Sequence, residues 1–297
     1  MRTLGLLFSL LLTMSAPVFA SEFRVLASIT PVQLIASEVL DGITVPDKLL
    51  PPGASPHQYS LKPSDVRRIQ QADLVLWVGP QLERFLVKSL QQTDAKVLTL
   101  LDEEHEGEVE ESSHEGHDHH DGHDHGGVDP HIWLEPFYVL EVASMVRDAA
   151  AAVKPEHKAQ LDANYQRFAS RLIGLDKTLM ARFMPLSERG FIVFHDAYGR
   201  FVEHYQLLQL DAITINPSRK PGAKHLSELR QRVIDSQAVC VFSEPQFSSS
   251  VLDAVTAGSE VKVVELDPLG QNIEPQAGAY TVFLQRFADT VHSCLAP

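Results

Sequence analysis

Four short stretches each set a good metal ligand beside turn-forming residues: PPGASPHQYSLKPSD with His57, VDPHIWLEP with His131, FIVFHDAYGRF with His195 and VKVVELDPLG with Asp267. Three neutral imidazoles, with a carboxylate or a water in fourth place, make a four-coordinate, borderline-soft site suited to Zn²⁺, whereas Mn²⁺ calls for more oxygen. The candidates lie 74, 64 and 72 residues apart, so no local zinc motif is present and only folding can assemble them. Taken singly, each histidine reads first as an ordinary packing or hydrogen-bonding residue. Position favours ligation: His195 and Asp267 follow strand-like runs, and His57 and His131 sit in Pro/Gly-flanked loops. Ligating imidazoles also need partners that fix their orientation, and Asp196, Glu135 and Glu244 are candidates for that role.

A denser source of imidazole lies just before His131. The repeat HEGHDHHDGHDH carries His114, His117, His119, His120, His123 and His125. His-Asp repeats bind transition metals, but nothing in them fixes a geometry, so their affinity should be modest and their stoichiometry variable. The surrounding acidic segment, about 102–126, lacks apolar periodicity and can bury almost nothing, which reads as a disordered insertion within a folded domain. It is an accessory metal trap in this reading, and the choice for the tight site falls on His131.

The elements that must position these groups alternate between strand and helix patterns, as in an α/β protein. FRVLASI, LVLWVGP and KVLTLL read as strands of a first half, and FIVFHDAY, AVCVFSEP and VKVVELDP as strands of a second. Ligands of open α/β sheets bind beyond the carboxyl ends of strands, which is where His195 and Asp267 fall. The segments SDVRRIQQADLVLWVGPQ and SELRQRVIDSQAVCVFSEPQ share one helix-to-strand rhythm, a hint of two similar lobes. Between them, in residues 155–185, Leu161, Tyr165, Phe168, Leu172, Leu175 and Leu179 recur at steps of four and three, the face of one long helix. A rod of that length, roughly 45 Å, resists wide opening of a cleft between lobes.

The chain starts with Met-Arg-Thr and the apolar run LGLLFSLLLTMSAPVFA, with Val18 and Ala20 placed for signal-peptidase cleavage, so residues 1–20 read as a signal peptide and the mature chain as exported and soluble. In an oxidising compartment the two cysteines, Cys240 and Cys294, suggest one disulfide, worth ~4 kcal/mol by the chain-entropy argument. The formal charge is −14, and eleven acidic residues fall in 102–125 alone. That balance argues against nucleic acid or an anionic membrane as partner.

Together these stretches resemble the metal-binding class of ABC-transporter solute-binding proteins, over essentially the whole mature chain. The resemblance implies two Rossmann-like lobes, 21–154 and 186–297, joined by the 155–185 helix, with the metal in the interlobe cleft. It implies His57, His131 and His195 as zinc ligands and Asp267 approaching the fourth position. Manganese members of the class carry a glutamate where this chain has His195. Zinc members often have an acidic residue before the first histidine, where this chain has Pro56, which leaves Asp267 or a water as fourth ligand. The implied function is non-catalytic: a monomer that captures Zn²⁺ in the periplasm and delivers it to a zinc ABC permease of the inner membrane. A periplasmic zinc metallohydrolase, or a metal chaperone, is the alternative. The hydrolase would need a general base and a substrate pocket, and no HExxH motif supplies the base.

Overall fold

A computed structural model of the protein describes residues 22–101, 128–214, 222–235, 238–247 and 249–297. Residues 1–20, read as a signal peptide, and the His-rich segment 102–126, with its six repeat histidines, lie outside the described residues.

Two four-stranded parallel sheets form the body. The first contains β1 (Val25–Ala27), β2 (Asp47–Lys48), β3 (Leu74–Trp77) and β4 (Lys96–Thr99) in the order β2-β1-β3-β4. The second contains β5 (Phe191–His195), β6 (Gln209–Thr214), β7 (Cys240–Ser243) and β8 (Lys262–Glu265) in the order β6-β5-β7-β8. The two orders are the same, so the shared rhythm noticed in the sequence is a shared topology. The central strands are mostly apolar, and LVLW and FIVFH are buried along their whole length, because helices cover both faces of a parallel sheet.

Helix α1 (Thr30–Val39) is buried at every position. It packs against α4 (Pro136–Val153), α5 (Lys158–Phe183) and α9 (Ala279–Leu295). The long helix expected over 155–185 is α5, flanked by 3₁₀ turns at Pro155–His157 and Met184–Leu186. Its buried face is less apolar than the periodicity suggested. Tyr165 and Leu175 are half-buried, while Asn164 and Asp176 are buried. These polar positions fasten the helix to both lobes. The Asn164 amide donates to Val39 O and Asp41 O, closing the end of α1, and Asp176 accepts from Tyr205 Oη at 2.9 Å and from His204 Nε2 at 2.7 Å. His204 lies in α6 (Gly199–His204), directly after β5.

A second tie crosses at Glu38 of α1. Its buried carboxylate accepts from Arg171 of α5 at 2.5 Å and from the Gly278 and Tyr280 N–H groups at the start of α9, at 2.8 and 3.1 Å. Burial pushes its carboxyl pKa up, against the pull of these donors. One hydrophobic core runs through both lobes and these helices. A smaller one, around Ile192, Phe194, Leu229 and Leu252, sits on the outer side of the second sheet, beneath α7 (Ala223–Asp235) and α8 (Ser249–Thr256). Cys240 at the start of β7 and Cys294 in α9 form a disulfide with Cα atoms 6.0 Å apart, as the cysteine pair suggested. No helix among the described residues is long and apolar enough to cross a membrane.

Candidate metal centre

His57, His131 and His195 meet in the cleft although distant in sequence. Each offers a ring nitrogen, and the three atoms lie within 4.8 Å of one another. Ring centroids are 5.1 to 5.7 Å apart. Nitrogens around a tetrahedral Zn²⁺ stand about 3.3 Å apart, so the rings need draw together by no more than ~1.5 Å. His131 and His195 are each 4% exposed. The Nε2 atoms of His57 and His131 are buried without a hydrogen-bond partner, a costly arrangement unless something else takes their lone pairs.

Each histidine arrives by a different route. His195 is the last residue of β5, held by its register with β6. His131 precedes a 3₁₀ turn, Ile132–Leu134, whose Trp133 is buried in the core. His57 stands in the irregular segment between β2 and α2 (Pro63–Gln71) and is half-buried.

Asp129 fixes the His131 ring. Its Oδ1 accepts the His131 N–H at 3.0 Å and the ring Nδ1 at 2.6 Å. A carboxylate can only accept, so Nδ1 carries the proton and Nε2 keeps its lone pair for a metal. Burial alone would raise the Asp129 pKa. The bonds from His131 and the charges of His131 and Arg200 outweigh it and hold the carboxyl below its usual range. The sequence reading missed this residue, although Asp-Pro two positions before a histidine signals a side-chain-to-backbone turn of this kind. Of the partners it did name, Glu244 lies beside a candidate ligand: its Oε1 is 3.6 Å from His195 Nδ1 and accepts the Tyr198 hydroxyl at 2.9 Å. Glu135 instead caps α4, accepting from the Phe137 and Tyr138 N–H groups, and Asp196 accepts from Gln209.

His57 is depressed to about 3, first by burial and then by repulsion from His195 and His131, against the attraction of Asp129. It is therefore neutral and ready to ligate at any physiological pH. Asp267, expected near the fourth position, does not join the three histidines: it is outside their cluster and does not line their cavity. Its Oδ1 accepts from Leu269 N at 2.9 Å and Gln246 Nε2 at 3.2 Å, and its Oδ2 from Gln271 N at 2.9 Å. The three histidines open on a cavity of about 20 Å³, walled by Pro56, Trp133, Phe247 and Leu269. That is room for an ion or a single water.

Residues 25–294 match the family described as "ZnuA: Zinc-uptake complex component A periplasmic". The chain belongs to the ZnuA family. Among its relatives, the "High-affinity zinc uptake system protein ZnuA" of Yersinia pestis is 39% identical, over 96% of this chain and 95% of that one. The protein of the same name from Haemophilus ducreyi is 37% identical, over 91% and 93%. A crystal structure of a ZnuA deletion mutant with zinc bound superposes with a TM-score of 0.73 at 25% identity, covering 91% of this chain and 98% of that one. ZnuA-family proteins are solute-binding components, and the two-lobed architecture with its long connecting helix is theirs.

Proposed function

We propose that the chain captures Zn²⁺ in the periplasm through His57, His131 and His195 and delivers it, as a monomer, to a zinc ABC permease of the inner membrane. The observation that carries this reading is the convergence of three buried or half-buried imidazoles, two with unpartnered Nε2 atoms, on a cavity the size of one ion. Zinc is cargo here. The small cavity, about 20 Å³, favours a carrier over the metallohydrolase alternative, because it holds an ion or a single water and not a larger substrate. Water takes the fourth position while Asp267 stays in its turn, and the carboxylate ligates only if that turn moves toward the histidines. His114, His117, His119, His120, His123 and His125 act as the accessory trap, and cleavage after Ala20 frees the chain into the periplasm.

Competition dialysis of the purified, metal-stripped protein tests this. Nitrogen ligation should make it retain Zn²⁺ over Mn²⁺ by orders of magnitude. Comparable retention of manganese would refute the zinc assignment.

A further inference from the structure

Residues 51–57 carry His57 but are tied to little. Within the segment the hydrogen bonds are local, from Ala54 N to Pro51 O at 3.2 Å and from His57 N to Ser55 Oγ at 3.4 Å. Among the described residues, one hydrogen bond joins the segment to a distant part of the chain: Gly53 N–H donates to Gln271 Oε1, across the cleft, at 2.5 Å. Gly53 sits at φ 80°, a conformation glycine reaches without steric cost.

The acceptor side is rigid. Asp267 gathers the Leu269 and Gln271 N–H groups and the Gln246 amide, which fixes the turn 267–271 after β8. Gly270, at φ 59°, lies so close to the Phe283 ring that a Cβ there would come within 2.5 Å of it. The same turn reaches the His131 segment, since Pro268 O accepts Trp133 Nε1 at 2.8 Å. Trp133 is 1% exposed and fixed by the core in any case. The half-buried His57 segment is not, and among the described residues the Gln271 bond is its one hydrogen bond to the second lobe. The Gln271 Nε2 is buried without a partner, so the amide oxygen alone does the holding.

We infer that Gln271 is a positioning residue for metal capture, whose amide oxygen clasps Gly53 and holds the His57 segment closed over the cleft, so that breaking this bond is part of zinc release. The inference rests on the reading that the three histidines hold zinc. It assigns to Asp267 the role of building the clasp.

Gln271→Ala in the full chain removes the acceptor. Gln271→Glu keeps an acceptor oxygen, exchanging the unpartnered N–H₂ for a second carboxylate oxygen and a negative charge. Two readouts are needed: amide hydrogen exchange at Gly53, Ala54, Ser55 and His57 in the metal-free protein, and the rate at which bound Zn²⁺ passes to an excess of chelator. A neutral hydrogen bond of ordinary strength predicts that Gln271→Ala speeds both by about threefold to tenfold, and that Gln271→Glu restores most of the difference. Unchanged exchange, or faster exchange with unchanged zinc release, would overturn the clasp. A wild-type chain without a tight zinc would refute the proposed function and the clasp together, and it would be seen before any variant is made.

Discussion

The two lobes run their four strands in the same order but support their candidate ligands by different means. The second lobe presents His195 from the end of a buried strand, where backbone pairing already fixes it, and its nearest carboxylate, Glu244, is 3.6 Å from the ring. The first lobe presents both of its histidines from segments beyond its sheet and compensates with side chains: Asp129 grips the His131 ring at 2.6 Å, and Gln271 of the other lobe holds the His57 segment. A ligand on a strand inherits its position from the sheet. A ligand on a loop must be given one by hydrogen bonds, and those bonds become part of the binding machinery.

The largest expected effect follows from the ligands themselves. His195→Ala should abolish tight zinc binding, a loss of several kcal/mol, because a strand-end position has no neighbouring imidazole to substitute. His57→Ala should cost less, since its segment already has to move. Isothermal titration of both variants decides this, and equal losses would remove the distinction between strand and loop support.

Next in size is the disulfide. Replacing Cys240 and Cys294 with serine frees α9 from β7 in the second lobe and should lower global stability by about 2–4 kcal/mol in denaturant melts. Zinc affinity should change little, because no ligand is attached to either cysteine. Asp129→Ala should do the reverse, weakening zinc binding by about tenfold to a hundredfold with a smaller change in stability, and Glu244→Gln should weaken binding less than that. A larger loss from Glu244→Gln would mean that the two lobes orient their ligands alike.

The smallest effect is in pH. The folded-state pKa of His57 is depressed to about 3, so its contribution to metal-free stability is complete above the unfolded value of about 6.5 and is lost as pH falls from there toward 3. Glu83, buried behind β3 and accepting from the Val78 and Gly79 N–H groups, is pushed up by burial to about 7. Its contribution is therefore complete below the unfolded value of about 4.5 and is lost as pH rises through about 7. Between about pH 4.5 and 6.5 the two slopes oppose each other. Glu83→Gln removes one of them, so the variant's metal-free stability should rise more steeply with pH than the wild type's across that window, as urea melts would measure. Parallel curves would mean that Glu83 does not titrate there.

What the sequence made legible tracks the same distinction. The strand-end position of His195 could be read because an apolar run such as FIVF announces its own end, and the α5 periodicity announced the connecting helix. The histidine set came from motif resemblance more than from spacing. The supporting groups were harder. Asp129 was passed over, and Glu135 stood among three candidates for orienting a ligand although the following Pro136 marks it as a helix cap. Asn164 and Asp176 break the apolar stripe of α5 because they bond to α1 and α6, partners that periodicity cannot see. The Gly53–Gln271 bond joins residues 218 apart and leaves no local pattern at all.

The central claim is that the functional metal sits on the three cleft histidines and not in the repeat at 114–125. The most direct measurement is the zinc-induced rise in melting temperature of two proteins: one lacking 102–126, and the intact chain carrying His131→Ala. A ligand that binds only the folded state adds ~4 kcal/mol of stability at a thousandfold excess over its Kd. The deletion should therefore keep a large upward shift and one tightly bound zinc, and His131→Ala should lose the shift while its repeat still binds metal weakly. A deletion that abolishes the shift, with His131→Ala preserving it, would place the functional metal in the repeat and contradict the account.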